Sequence, residues 1–100
     1  MAQKKITFYT IAGCARTGGE VEPATYTDVY KSVRTAAKAV ADEINEVIDL
    51  HNETVEDDSE KLQHVTADDC MNGYRLSAFN DDDDILDLNI VKHTMFVQTV

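Results

Sequence analysis

The chain has 100 residues, 43% of them apolar, a single proline and a formal net charge of −10. That length supports one domain, spanning residues 1–100, whose single core leaves little room for a deep substrate cavity. The apolar content and the absence of a proline-rich linker exclude a disordered chain, and so acidic a surface argues against direct contact with nucleic-acid phosphates or anionic lipid heads.

Lys5 to Ile11 predicts a first strand, because every residue from Ile6 to Ile11 is β-branched or aromatic. Gly13 to Gly19 predicts a loop, and Glu20 to Tyr26 a returning strand that Pro23 confines to a sheet edge. A helix is expected from about Asp28 to Asn52, capped by Thr27 or Asp28. Its apolar positions, Val29, Tyr30, Val33, Ala36, Ala37, Val40, Ile44, Val47 and Ile48, recur at spacings of three and four. They form one stripe that must face a sheet.

After an acidic turn from Val55 to Glu60, Lys61 to Ala67 reads as a strand. Asn72-Gly73 is a two-residue hairpin signal, with Tyr74 to Asn80 as the returning strand. Asp81 to Asp84 is too charged to be buried and predicts a solvated turn. Ile85 to Val91 and His93 to Val100 supply a fourth and a fifth strand. The expected fold class is α+β: one long amphipathic helix packed on a mainly antiparallel sheet of about four to five strands, in the order β(β)αβββ.

Several motifs that would carry chemistry fail on inspection. Gly13 and Gly18 have the spacing of a phosphate-binding loop, but Gly19 stands where the lysine belongs and Glu20 where a hydroxyl should hold magnesium. The run from Asn80 to Asp84 suggests calcium. An EF-hand needs glycine at its sixth position and a bidentate acid at its twelfth, and these fall on Ile85 and Val91, or on Leu86 and Lys92 in the next register. His51, His64, His93, Cys14 and Cys70 show no metal-ligand spacing. With no export signal before them, the two cysteines are expected to be reduced and partly buried. The reading is therefore of a chain with no cofactor, no metal and no catalytic residue; a small cysteine-dependent enzyme using Cys14 in its glycine-rich loop is the minor alternative.

The distribution of charge says more than its total. Residues 1–41 carry Lys4, Lys5, Arg16, Lys31, Arg34 and Lys38 against Glu20, Glu22 and Asp28, a net of +3. Residues 42–60 carry Asp42, Glu43, Glu46, Asp49, Glu53, Glu56, Asp57, Asp58 and Glu60 with no lysine or arginine. Asp42, Glu46, Asp49 and Glu53 follow spacings of four, three and four, so they form a ridge along the helix with carboxylates about 4.5 to 6 Å apart along the axis. Their mutual repulsion and their place at the negative end of the helix dipole together cost on the order of 1 to 3 kcal/mol. A solvated helix face that only confers solubility is one reading. The other is a row that imitates the phosphates of a nucleic acid and fills a lysine- and arginine-lined groove.

In length, charge and lack of catalytic motifs, and through the acidic residues 42 to 60 and 81 to 84, the chain resembles the small acidic proteins with which bacteriophages and mobile elements block host nucleases, the DNA-mimic and anti-CRISPR class. The resemblance implies a host-defence antagonist: an inhibitor, not an enzyme, that occupies a basic, nucleic-acid-binding surface of a host protein or complex by charge mimicry or steric occlusion. Its partner-binding residues would be Asp42, Glu43, Glu46, Asp49, Glu53, Glu56, Asp57, Asp58, Asp81, Asp82, Asp83 and Asp84. No membrane partner is expected, because no segment approaches the roughly eighteen apolar residues that span a bilayer. The expected location is cytoplasmic, that of the host cell if the chain is phage-encoded. The alternative from another class is a structural or assembly subunit that pairs with a second copy through a sheet edge or the apolar stretch Thr94 to Val100.

Overall fold

The computed structural model describes residues 2–77 and 84–99. Four antiparallel strands, β1 (Ala2–Thr17), β2 (Glu20–Thr25), β3 (Tyr74–Ser77) and β4 (Ile85–Thr99), form one sheet in the order β2-β1-β4-β3. A single α-helix, α1 (Val33–Thr54), crosses one face of it. The α+β class and the helix on an antiparallel sheet are as the hydrophobic pattern predicts, and Pro23 does sit on an edge strand, opposite Cys14.

The helix buries Ala36, Ala37, Val40, Ala41, Ile44 and Ile48. All but Ala36 join one core cluster with Ile11 of β1, Leu86 and Leu88 of β4, Leu76 of β3 and the fully buried Cys70. Small side chains at the N-terminal end of that stripe let the helix backbone approach the sheet, and larger ones fill the space farther on. The helix begins later than Thr27 or Asp28. Tyr30 exchanges both backbone hydrogen bonds with Tyr9, at 2.8 and 2.9 Å, which keeps the chain extended until Ser32. There the Ser32 hydroxyl accepts from the Thr35 amide at 3.2 Å and caps the first turn.

Four further expectations are corrected. The glycine-rich segment is a loop only at Gly18 and Gly19, whose φ angles of +58° and +84° make the two-residue turn of the β1–β2 hairpin. Gly13 to Thr17 continue β1. A Cβ on Gly13 would run into the Asp87 carbonyl of β4, so this glycine serves strand approach.

Lys61 to Ala67 is not a strand. Asn45 donates through Nδ2 to the Val65 carbonyl at 2.9 Å and accepts from the Val65 amide at 2.8 Å. Asn52 does the same for Leu62, at 2.9 and 2.8 Å. The side chains of α1 take the place of a neighbouring strand, and Leu62 and Val65 pack against the core from the side. The hairpin expected around Asn72-Gly73 is likewise absent. Gly73 has φ +95° and donates to the Cys70 carbonyl at 2.9 Å, closing a turn that follows the short 3-10 helix Asp68–Cys70 and leads into β3.

Ile85 to Thr99 forms one unbroken strand where two were expected. It pairs with β1 from Arg16–Ile85 to Ala2–Thr99, whereas the core takes nothing from these strands beyond Ile11 and Ile90. The ribbon therefore projects past the helix. The molecule measures 63 × 27 × 16 Å, and its radius of gyration is 16.8 Å against about 13 Å for a compact domain of this length. Tyr74 to Ser77 matches the start of the third strand, and the rest of that prediction, with Asp81, Asp82 and Asp83, lies outside the described residues.

Candidate functional site

Burial of one helical stripe decides what the opposite stripe must present. Asp42, Glu46, Asp49 and Glu53 fall on the face turned away from Ala37, Val40, Ile44 and Ile48, and all four are exposed. The helix has no acid in its first turn and His51 as the only basic residue in its last, so the acids do lie toward the negative end of the dipole.

The two flanks of this face differ. On the side of residues 61–67, Lys38 pairs with Asp42 at 3.1 Å and His64 meets Asp49 at 2.5 Å. Nearby, Arg34 pairs with Asp68 and Lys61 with Asp58, each at 3.1 Å. All of these pairs are solvent-exposed, so each contributes about 0 to 1 kcal/mol and yields readily to a competing charge. A groove of about 490 Å³ runs along this flank between Arg34, Lys38, Asp42 and Val65.

The other flank carries Glu43, Glu46 and Glu53, none of them ion-paired among the described residues. Leu50 stands among them with 59% of its surface exposed. The spacings Glu43-Glu46-Leu50-Glu53 of three, four and three place the four on one face. Tyr26 lies close by: burial raises its hydroxyl pKa, and the charges of Glu43 and Glu46 raise it further. Leu50 is thus an exposed apolar side chain beside three carboxylates that have no ion pair among the described residues.

Beyond the helix, Glu56 and Asp57 are exposed. Asp57 is partly committed, since its carboxylate accepts from the Ser59 amide at 2.9 Å and that hydrogen bond holds its pKa below the usual carboxylate value. Asp84 departs from the expected solvated turn. It is 5% exposed and its Oδ1 accepts from the Gly18 amide at 3.2 Å. A tight turn leaves amides without backbone partners, and the carboxylate at the start of β4 is positioned to take one of them.

Leu50 and Tyr26 escaped the sequence reading. Leu50 lies off the buried stripe in an otherwise charged stretch, the only signal that could have marked it. Cys14 is exposed on the sheet and Cys70 is buried among core side chains. Burial raises the Cys70 thiol pKa and Asp69 adds to the effect. Among the described residues, no three histidine, cysteine or acidic side chains gather as metal ligands, and no helix is long and apolar enough to cross a membrane. Comparison with known proteins found no matching family model, no matching curated protein and no matching solved structure.

Proposed function

We propose that this chain is a protein-binding inhibitor that docks the outward face of α1, centred on Glu43, Glu46, Leu50 and Glu53, into a lysine- and arginine-lined groove of a nucleic-acid-handling protein. The observation that carries this reading is the asymmetry of the helix: one flank has acids paired internally, and the other presents carboxylates that have no ion pair among the described residues, beside an exposed leucine. A groove built for phosphates supplies the cations, and Leu50 supplies apolar contact that a nucleic acid backbone lacks. Association would be steered by charge and weakened by salt. A nuclease complex of host defence is the target class implied by the resemblance to small acidic phage inhibitors.

The reading is tested with the immobilised protein and a nuclease-treated bacterial lysate at low salt. The wild type is expected to retain basic nucleic-acid-binding proteins that elute on a rising salt gradient. A Glu43→Lys/Glu46→Lys/Glu53→Lys variant with an unchanged circular dichroism spectrum should retain none of them, and Leu50→Ala should elute them earlier. Equal retention by wild type and triple variant rejects the proposal.

A further inference from the structure

The sheet has a second face, and among the described residues no element covers it. Alternation along the paired strands turns Ile11 and Ala15 of β1 and Leu86, Leu88 and Ile90 of β4 toward the helix. The intervening residues must point the other way. Eight large apolar side chains stand exposed among the described residues, and Ile6, Val21, Val91, Met95 and Val97 all belong to this open face. Phe8 stacks on His93 in the same row, with ring centroids 4.9 Å apart. The other side of the projecting ribbon pairs Gln3 with Gln98, Lys5 with Phe96, Thr7 with Thr94 and Tyr9 with Lys92, and Phe96 is its one exposed large apolar side chain among the described residues. One face of the ribbon is thus apolar and the other mostly polar. A two-stranded ribbon is marginal in water unless something packs on its apolar side.

The placement of the acids leaves this face open to a second copy. Asp87 is the sole carboxylate on the open face among the described residues, against Lys4, Arg16 and Arg75, while the acidic ridge lies on the far side of α1. Two chains of net charge −10 can meet through this face with their helices pointing apart, the arrangement that best separates their acids. At about 3.3 Å per residue and 4.8 Å per strand, the face spans on the order of 600 Å² in projection. That is comparable to the about 800 Å² per partner of a standard interface.

We infer that the chain forms a two-fold homodimer by packing the open faces of two sheets against each other, with the projecting β1–β4 ribbons covering one another and α1 exposed on both outer surfaces. Pairing through sheet edges would leave the apolar row wet. Packing face to face makes a sandwich whose core is the row from Val21 to Val97. The inference does not depend on the target of α1, and variants of the acidic ridge should leave the dimer intact.

Sedimentation velocity over a concentration series tests it. The wild type is expected as a dimer in the micromolar range, and Ile6→Glu/Met95→Glu, a directly opposed pair, should weaken association by about 100-fold or more. Val21→Glu, on a different strand, should weaken it with the ribbon untouched. Thr94→Glu, on the opposite side of the same ribbon, should leave it unchanged. Alkylation gives a second readout. Cys14 lies on the open face and Cys70 is buried, so Cys14 should react slowly in the concentrated wild type and fast on dilution or in Ile6→Glu/Met95→Glu, while Cys70 stays unreactive and reports an intact fold. A wild type that is monomeric throughout, a dimer dissociated equally by Thr94→Glu or indifferent to Ile6→Glu/Met95→Glu and Val21→Glu, or a monomer that binds a single-stranded oligonucleotide through this face would overturn the inference.

Discussion

Asn52 grips the backbone of Leu62 with both halves of its amide, donating to the carbonyl at 2.9 Å and accepting from the amide at 2.8 Å. Asn45, two helical turns earlier, holds Val65 in the same way. Each pair satisfies a donor and an acceptor that are partly shielded from water. Replacing either asparagine with alanine should cost about 1 to 3 kcal/mol, read as a lower urea midpoint. Native-state hydrogen exchange should show the amides of Leu62 and Val65 losing protection before those of β1 and β4. If their protection stays at the global level, the segment is held by something else.

The helix carries its charges against its own dipole. Glu53→Lys should stabilise the protein by about 0.3 to 1 kcal/mol at low salt, with the gain shrinking as salt rises. Ser32→Ala, which removes the cap on the Thr35 amide, should destabilise it by about 1 kcal/mol. Thermal melts of the two variants should move in opposite directions.

Gly13 and Gly18 are both glycines for different reasons, and alanine should separate them. At Gly13 the added methyl meets the Asp87 backbone. The two central strands would have to part, at a cost of about 3 kcal/mol or more. At Gly18 there is open space, and the φ of +58° alone imposes about 1 to 2 kcal/mol. Asp84→Ala removes the acceptor of the Gly18 amide and should cost about 1 to 3 kcal/mol.

Strong acid should loosen two turns. Hydrogen bonding to Ser59 and to Thr66 lowers the pKa values of Asp57 and Asp69 from the ordinary 3.8. A carboxyl held below its unfolded value contributes stability that is complete above about pH 4 and is lost as the pH falls through the lower folded value. Stability should therefore fall with decreasing pH below about 4, and Asp69→Asn should flatten that part of the profile. An unchanged slope in Asp69→Asn and Asp57→Asn together would show that these turns do not contribute.

Tyr26 reports on the acidic patch from the inside. Burial and the charges of Glu43 and Glu46 raise its pKa above the ordinary 10.0. Glu43→Gln/Glu46→Gln should lower it without abolishing the shift, since burial is the larger cause. Absorbance titration near 295 nm on a chain in which the other tyrosines are phenylalanine provides the measurement.

Local patterns located much of the architecture. The three-and-four spacing read from Val29 to Ile48 found the helix and most of its buried stripe, because a helix on a sheet must bury one face, but it took in Val29 and Tyr30, which precede the helix. The β-branched run from Ile6 to Ile11 found the central strand, and Pro23 marked an edge because it cannot donate to a further strand. The same spacing argument put Asp42, Glu46, Asp49 and Glu53 on the outward face before any coordinates. It also set Lys38 one turn before Asp42, but could not show that His64 attends to Asp49, since His64 reaches the helix only when the Asn45–Val65 contact brings residues 61–67 alongside.

What remained hidden depended on partners distant in the chain. Lys61 to Ala67 has the composition of a strand, yet two asparagine side chains, ten and twenty residues upstream, satisfy its backbone instead. Asp84 belongs to a run of aspartates that should stay in water, and it is buried because a turn sixty-six residues earlier offers it an amide. The apolar face of the ribbon emerges only once Ile6 is set opposite Met95 and Phe8 opposite His93. Periodicity along one segment reveals which face of an element is apolar. Which backbone groups still need a partner, and which apolar faces remain uncovered, is settled only when the segments are brought together in space.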